Sequence, residues 1–219
     1  ICGENLGTIT GSTNHARVNT VEVDVTLDVS DFDIRNITDA DTNITCTDTG
    51  GIVGYSSGII RSCNNRGTVG YAHTGYNVGG IAGIVSDDSF VINCYSTVEK
   101  ITANSSYASV VGYSKKGNLQ NIYGNSACPS KSAANSAVGS DKAAGTVWKK
   151  TTFALLSLDE MKSGAVTVPS SGESCANFAA ALNAGAALFN DTPAETLPGK
   201  PDVVLRKWTA SESYPVLEK

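Results

Sequence analysis

The sequence predicts a mainly β chain, a β-solenoid or β-helix-like repeat with a small α+β C-terminal capping region. Three observations predict it. Four segments superimpose with apolar residues and glycines in fixed columns. The polar surface is built from Ser, Thr and Asn more than from charge, with charged residues at 17% and 22 glycines, a mixture that belongs to short strands joined by tight turns. Beyond residue 148 the pattern changes to capping-box and helix-period sequence.

The repeat comes first, because overlooking it misassigns the whole fold. ICGENLGTI from Ile1, IVGYSSGII from Ile52, IAGIVSDDSFV from Ile81 and VVGYSKKGNL from Val110 superimpose, the third and fourth with longer turns. Their columns are Ile1/Ile52/Ile81/Val110, then Cys2/Val53/Ala82/Val111, then Gly3/Gly54/Gly83/Gly112, the last three glycines lying 29 residues apart. A second glycine column holds Gly7, Gly58 and Gly117, where the third copy has Asp87–Asp88, and the next apolar column is Ile9/Ile60/Val91/Leu119. Three further columns follow: Ser62/Asn93/Asn121, Cys63/Cys94/Ile122 and Asn64/Tyr95/Tyr123. Apolar columns are what stacked coils require, since no coil buries its own core. The glycines read as turn residues with φ > 0. The Ser/Asn/Asn column reads as an inward ladder of stacked polar side chains.

These segments resemble the GLUG motif, named for its Gly-Leu-apolar-Gly consensus. The resemblance rests on GGIVG at Gly50–Gly54, GGIAG at Gly79–Gly83, NCY at Asn93–Tyr95, GTI at Gly7–Ile9 and GTV at Gly67–Val69. It covers residues 1–125, and departs from the motif in the Val110 copy, which lacks the Gly pair, and in a long insert. It implies a module of secreted and surface-anchored bacterial proteins, among them adhesin-like proteins and the non-catalytic parts of IgA-cleaving metallopeptidases.

The organisation expected is solenoid repeats over 1–125 with an inserted strand region at 13–49, an irregular connector over 126–147, and a capping region over 148–219. Within the insert, VEVDVTLDV alternates strictly from Val21 to Val29, the pattern of a half-buried strand. Its acids, Glu22, Asp24 and Asp28 with Asp31 and Asp33 beyond, read as a solvated face that discourages edge pairing, because calcium loops place their ligands around a turn. In the capping region Ser157-Leu-Asp-Glu160 is a capping box for a short helix ending at Gly164. A second helix is expected from about Ser174, broken near Gly185, followed by strands over Val203–Trp208 and Tyr214–Leu217. DEMKSG, ALNAG and a Trp followed by YPVL also resemble the tail that closes such arrays, so Trp208 and Tyr214 are expected to plug the core end.

Chemistry-bearing motifs are sparse. The glycine clusters lack the spacing of nucleotide loops, and neither His15 nor His73 is followed by the Glu of a zinc peptidase. There is no C-x-x-C among Cys2, Cys46, Cys63, Cys94, Cys128 and Cys175. Cys63 and Cys94 share a column with Ile122, and Cys2 shares one with Val and Ala, so these cysteines read as buried free thiols, with a disulfide framework as the alternative, since adjacent coils would bring Cys63 and Cys94 within bonding reach. A net charge of −5 argues against nucleic acid, and no apolar run is long enough for membrane insertion. Ile1 falls mid-pattern, so the chain reads as a piece of a longer precursor.

The expectation is therefore a non-catalytic structural or adhesion module, secreted or on the cell surface, meeting an extracellular glycan or protein. No catalytic, cofactor or metal residues are assigned. Tyr55, Tyr71, Tyr76 and Tyr113 are the candidate ligand-binding face, because solenoid faces present regular rows to extended ligands. Tyr55 and Tyr113 share a column with Glu4 and Ile84, a tolerance that marks an exposed position. The enzyme alternative, a β-helix polysaccharide lyase or hydrolase, would need two carboxylates across a cleft, and Asp87–Asp88 are the acids inside the repeat.

Overall fold

The computed structural model describes residues 2–18, 48–70, 76–101, 103, 105–132, 134–142, 151–196 and 199–219. Tyr71, His73, Cys46 and the alternating segment from Val21 to Ile34 lie outside them.

The described chain winds as a parallel β-solenoid with four walls. Wall A stacks Cys2–Asn5, Val53–Ser56, Ala82–Val85, Val111–Ser114 and Val138–Asp141 in that order. Wall B stacks Thr8–Thr10, Ile59–Arg61, Phe90–Ile92 and Asn118–Gln120. Wall C stacks Thr13–Asn14, Asn64–Asn65, Tyr95–Ser96, Ile122–Asn125 and Phe153–Leu156. Wall D, behind wall A, stacks Thr49–Gly50, Asn77–Gly79 and Ser106–Ala108. The pairing reproduces the aligned columns: Cys2 pairs Val53, Val53 pairs Ala82 and Ala82 pairs Val111. Ile9, Ile60, Val91 and Leu119 likewise stand in register.

The core follows from that register. Ile52, Ile81, Val110, Val53, Ile60, Val91, Leu119, Cys63, Cys94 and Ile122 are fully buried in one cluster. Each large aliphatic there contributes roughly 1.5–3 kcal/mol of burial. A smaller core of Val69, Val78, Val98, Ile101 and Cys128 lies apart from it.

Two sequence expectations are corrected. The motif glycines are not left-handed turn residues. A Cβ on Gly83 would lie 2.5 Å from Thr49 N and 2.7 Å from Gly54 O, and one on Gly112 would lie 2.6 Å from Val78 N. At Gly54, Gly83 and Gly112 the column is glycine because wall D's main chain lies directly against wall A's, whereas at Gly3 a Cβ would meet nothing within 4 Å. The aligned column with left-handed backbone is instead Ser62, Asn93 and Asn121, with φ of 50°, 53° and 50°, at the corner between walls B and C. Asn accepts that conformation more readily than most residues. The polar ladder along the axis runs elsewhere: Asn14 Nδ2 donates to Asn65 Oδ1 at 2.7 Å, and Asn5 Nδ2 to Ser56 Oγ at 3.0 Å.

The segment read as an irregular connector contains another coil. Val138 pairs with Val111, and Val110 N donates to Ala137 O at 3.2 Å. Phe153–Leu156 then adds a strand to wall C beside Ile122–Asn125. The described ends of the 13–49 insert, Thr13–Asn14 and Thr49–Gly50, are themselves strands of walls C and D.

The C-terminal region holds helix α1, Leu158–Lys162, with the expected capping box between Ser157 and Glu160. Helix α2, Phe178–Asp191, is capped by Asn177 and runs unbroken through Gly185. At Gly185 the helix crosses the corner, where a Cβ would lie 3.0 Å from Asn121 Nδ2. Asn93 donates to Leu182 O at 3.0 Å and Asn121 accepts from Ser170 N at 3.1 Å, fastening the region to that corner. Its terminal strands are shorter than expected, Trp208–Thr209 paired antiparallel with Val216–Leu217.

This region covers the flank of the solenoid. Trp208 is buried with Phe178, Met161 and Leu182 against Tyr95 and Tyr123 on the outer face of wall C. The expectation that Trp208 and Tyr214 plug the core end is thereby corrected. The Phe178 ring stands edge-on to Tyr95 and Tyr123, with centroids 5.2 and 5.0 Å away. Tyr95 donates its hydroxyl to Pro215 O at 2.8 Å and accepts from Arg66 Nη2 at 2.8 Å. Tyr123 Oη is buried without a hydrogen-bond partner. Phe189 and Leu205 pack similarly on Phe90 and Ile92 of wall B.

Two pairs of substitutions test this packing by urea unfolding. Ser62 sits at φ 50° with its buried hydroxyl unpartnered, so Ser62→Gly is expected to stabilise by up to about 1 kcal/mol. Gly83→Ala is expected to destabilise by about 1–3 kcal/mol through overpacking. Tyr95→Phe is expected to cost about 0.5–1.5 kcal/mol, because it removes the phenol's hydrogen bonds with Pro215 O and Arg66, whereas Tyr123→Phe is expected to be neutral or stabilising. Equal effects at the two tyrosines would contradict the flank packing.

Candidate functional site

The central strands of wall A carry, next to the motif glycine, one residue that neither enters the core nor meets wall D. Strand pairing sets these residues in a row along the axis: Glu4, Tyr55, Ile84, Tyr113 and Ser140. Glu4 is exposed and the other four are half-buried. With parallel strands about 4.8 Å apart, Tyr55 and Tyr113 stand about 10 Å from each other with Ile84 between them. The row is an apolar stripe with an acidic end, straight because every member occupies the same position of its coil.

Of the four candidate tyrosines, Tyr55 and Tyr113 are thus brought together. Tyr76 is 44% exposed but precedes the Asn77–Gly79 strand of wall D, with its carbonyl accepting from Ser105 N and Ser106 N. It belongs to a different wall from the pair. Tyr71 lies outside the described residues. Ile84 and Glu4 were visible in the aligned column, while Ser140 was hidden in the unnoticed coil at Ala137–Asp141.

The neighbouring corner between walls A and B supplies charge beside the row. Asp87 and Asp88 form an exposed turn in one coil, Asp88 with φ 57°, and exposed Lys115 and Lys116 form the turn of the next. Asp88 N donates to Lys116 O at 3.4 Å, which places the acidic and basic turns side by side. Both acids of the enzyme alternative therefore sit on a convex corner next to lysines, and not across a cleft from each other.

The grooves elsewhere have other uses. One of about 410 Å³ lies between α2 and the C-terminal segment, lined by Asn183, Ala186, Asn190, Val204, Arg206 and Lys219. Its two amides are already engaged. Asn183 exchanges hydrogen bonds with Trp208 O and Trp208 N at 2.8 and 2.7 Å. Asn190 does the same with Leu205 O and Leu205 N at 3.0 and 2.8 Å. Two amides seven residues apart on one helix thus hold the chain end as a neighbouring strand would. A groove of about 330 Å³ lies beside Gly3, Asp48 and Gly54. Burial pushes the Asp48 carboxyl up, partly offset by the hydrogen bond from Asn77 at 2.7 Å.

Cys63 and Cys94 are buried where their shared column puts them, and Cys128 and Cys175 are buried as well. Cys2, expected from its column to be buried, is exposed, because its strand stands at the end of wall A. All five are free. His15 is exposed. Among the described residues no cluster of three or more His, Cys, Asp or Glu side chains could hold a metal ion. No helix among them is long and apolar enough to cross a membrane. Compared with protein-family models, with curated proteins and with solved structures, the chain gives no match.

Proposed function

We propose that this chain is a non-catalytic structural or adhesion module of a larger secreted or surface-anchored bacterial protein, of the GLUG-motif kind. In this reading the outer row of wall A meets an extended extracellular glycan. The observation that carries it is the row itself, Tyr55, Ile84 and Tyr113 in axial register. Ring faces at a fixed spacing suit stacking on successive flat units of a linear ligand, and a solenoid wall supplies that spacing without loop rearrangement. Glu4 at one end and the Asp87–Asp88 and Lys115–Lys116 turns alongside add polar contacts for orientation. The motif assignment draws support from GGIVG and GGIAG, whose closing glycines, Gly54 and Gly83, sit where wall D crosses wall A.

The test is a glycan and host-protein array followed by titration of the hits. Tyr55→Ala and Tyr113→Ala are each expected to weaken binding at least tenfold, with Tyr76→Ala leaving it unchanged. A hit confined to proteins would keep the surface and replace the ligand class. Binding indifferent to both wall A tyrosines would remove the site. Turnover of a polysaccharide panel that disappears on Asp87→Asn or Asp88→Asn would replace the whole reading with the enzyme alternative.

A further inference from the structure

The column Cys63/Cys94 joins two coils at equivalent core positions, and its chemistry is absorbed by nothing above. Both thiols are fully buried. Cys63 N donates to Cys94 Sγ at 3.4 Å, and Tyr95 N donates to Cys63 O at 3.1 Å, so the two residues lie beside each other, each just before one of the paired parallel strands Asn64–Asn65 and Tyr95–Ser96. Such strands stand about 4.8 Å apart, inside the span of roughly 4.4–6.8 Å between Cα atoms that a disulfide bridges. Each sulfur is also held in place by a main-chain carbonyl, Cys63 donating to Arg61 O at 3.2 Å and Cys94 to Ile92 O at 3.3 Å. The next residue of the column is Ile122, so packing alone does not require sulfur at either place.

We infer that Cys63 and Cys94 are a dithiol pair that closes into a disulfide between adjacent coils when the chain folds in the presence of a small-molecule disulfide such as oxidised glutathione. The thiolate of Cys63 attacks one sulfur of the small disulfide, forming a mixed disulfide and releasing one thiolate that takes up a proton. The thiolate of Cys94 then attacks the Cys63 sulfur of that mixed disulfide, forming the Cys63–Cys94 bond and releasing the second small thiol. The two cysteines lose two electrons and two protons, and the small disulfide gains both. Either cysteine can make the first attack, and the same bond results.

Closed burial sets the timing. With neither sulfur exposed, exchange takes place before the two coils dock, and the folded chain then keeps whichever state it acquired. The bond would close a loop across a separation of 31 residues, long enough to restrict the unfolded chain substantially. The solenoid would thereby carry a covalent staple in an oxidising compartment and a plain apolar column in a reducing one.

The experiment refolds the full chain from denaturant with reduced glutathione alone or with a reduced and oxidised mixture. Iodoacetamide alkylation in denaturant and peptide mapping follow. The expected result in the mixture is a Cys63–Cys94 cross-linked peptide, with Cys2, Cys128 and Cys175 alkylated, and a higher urea midpoint than for the reduced protein. Cys63→Ala with Cys94→Val, which fills the column with apolar groups as Ile122 does, is the folding control. It is expected to fold and to show no redox-dependent change in midpoint. Alkylation of both Cys63 and Cys94 after oxidative refolding would overturn the inference, as would either one pairing with a different cysteine.

Discussion

Hydrogen bonds along the solenoid axis tie each coil to the next at one fixed register. At the corner where wall D turns into wall A, Ile52 N donates to Ile81 O at 3.0 Å, Ile81 N to Val110 O at 2.8 Å, and Val110 N to Ala137 O at 3.2 Å. That register has a steric condition. Two layers of main chain meet behind the corner, and the column Gly54, Gly83, Gly112 and Gly139 leaves room for them, each with neighbouring backbone where a Cβ would stand. Once the main chains stack, inward side chains at equal positions must also stack, and the columns of Ile, Val, Leu and Cys become one continuous core. Coil-to-coil bonding therefore sets core composition and surface rows alike.

The walls are used unequally. The C-terminal region lies on walls B and C, where Tyr95, Tyr123, Phe90 and Ile92 would otherwise present a large apolar surface to water. Such a patch invites association, and the flank helix removes it while holding the B–C corner through Asn93 and Asn121. The same residue type thus serves opposite ends. Tyrosines on wall C are buried as packing groups, with the Tyr95 phenol pushed up to about 12 chiefly by burial, whereas tyrosines on wall A stand half open in the proposed binding row. Residue type alone does not separate these roles. The wall does.

Much of this was legible in the sequence, for a physical reason. Stacking repeats the same environment at each coil, so Val53, Ala82 and Val111, or Cys63, Cys94 and Ile122, align because they share one site. Where the environment is shared but tolerant, the signal fades. The last coil, at Ala137–Asp141, keeps the apolar pair and the glycine but has Ser140 in place of Tyr113, and so its sequence reads as a connector. The left-handed corner was misread because Ser62, Asn93 and Asn121 are polar, and polarity is a feature shared by ladders and by such corners. The flank contacts were not legible at all. That Asn183 and Asn190 pair with the main chain of Trp208 and Leu205, or that Gly185 marks a crossing point, depends on how α2 lies against coils distant in sequence. The candidate row was half legible: its column was visible, but not that Tyr76 belongs to another wall.

The central claim is that chain segments far apart in sequence stand in one axial row, coil upon coil. The most direct measurement is a pulsed electron paramagnetic resonance distance between nitroxides at Glu4→Cys and Ser140→Cys, in a chain with Cys2 and Cys46 replaced by serine. These positions end the outer row of wall A and are separated by four strand spacings, about 19 Å at the Cα atoms. A narrow distribution centred near that value is the result the stacked coils require. A distribution centred beyond about 30 Å, more than six strand spacings, would contradict the register on which the core, the glycine column and the binding row all depend.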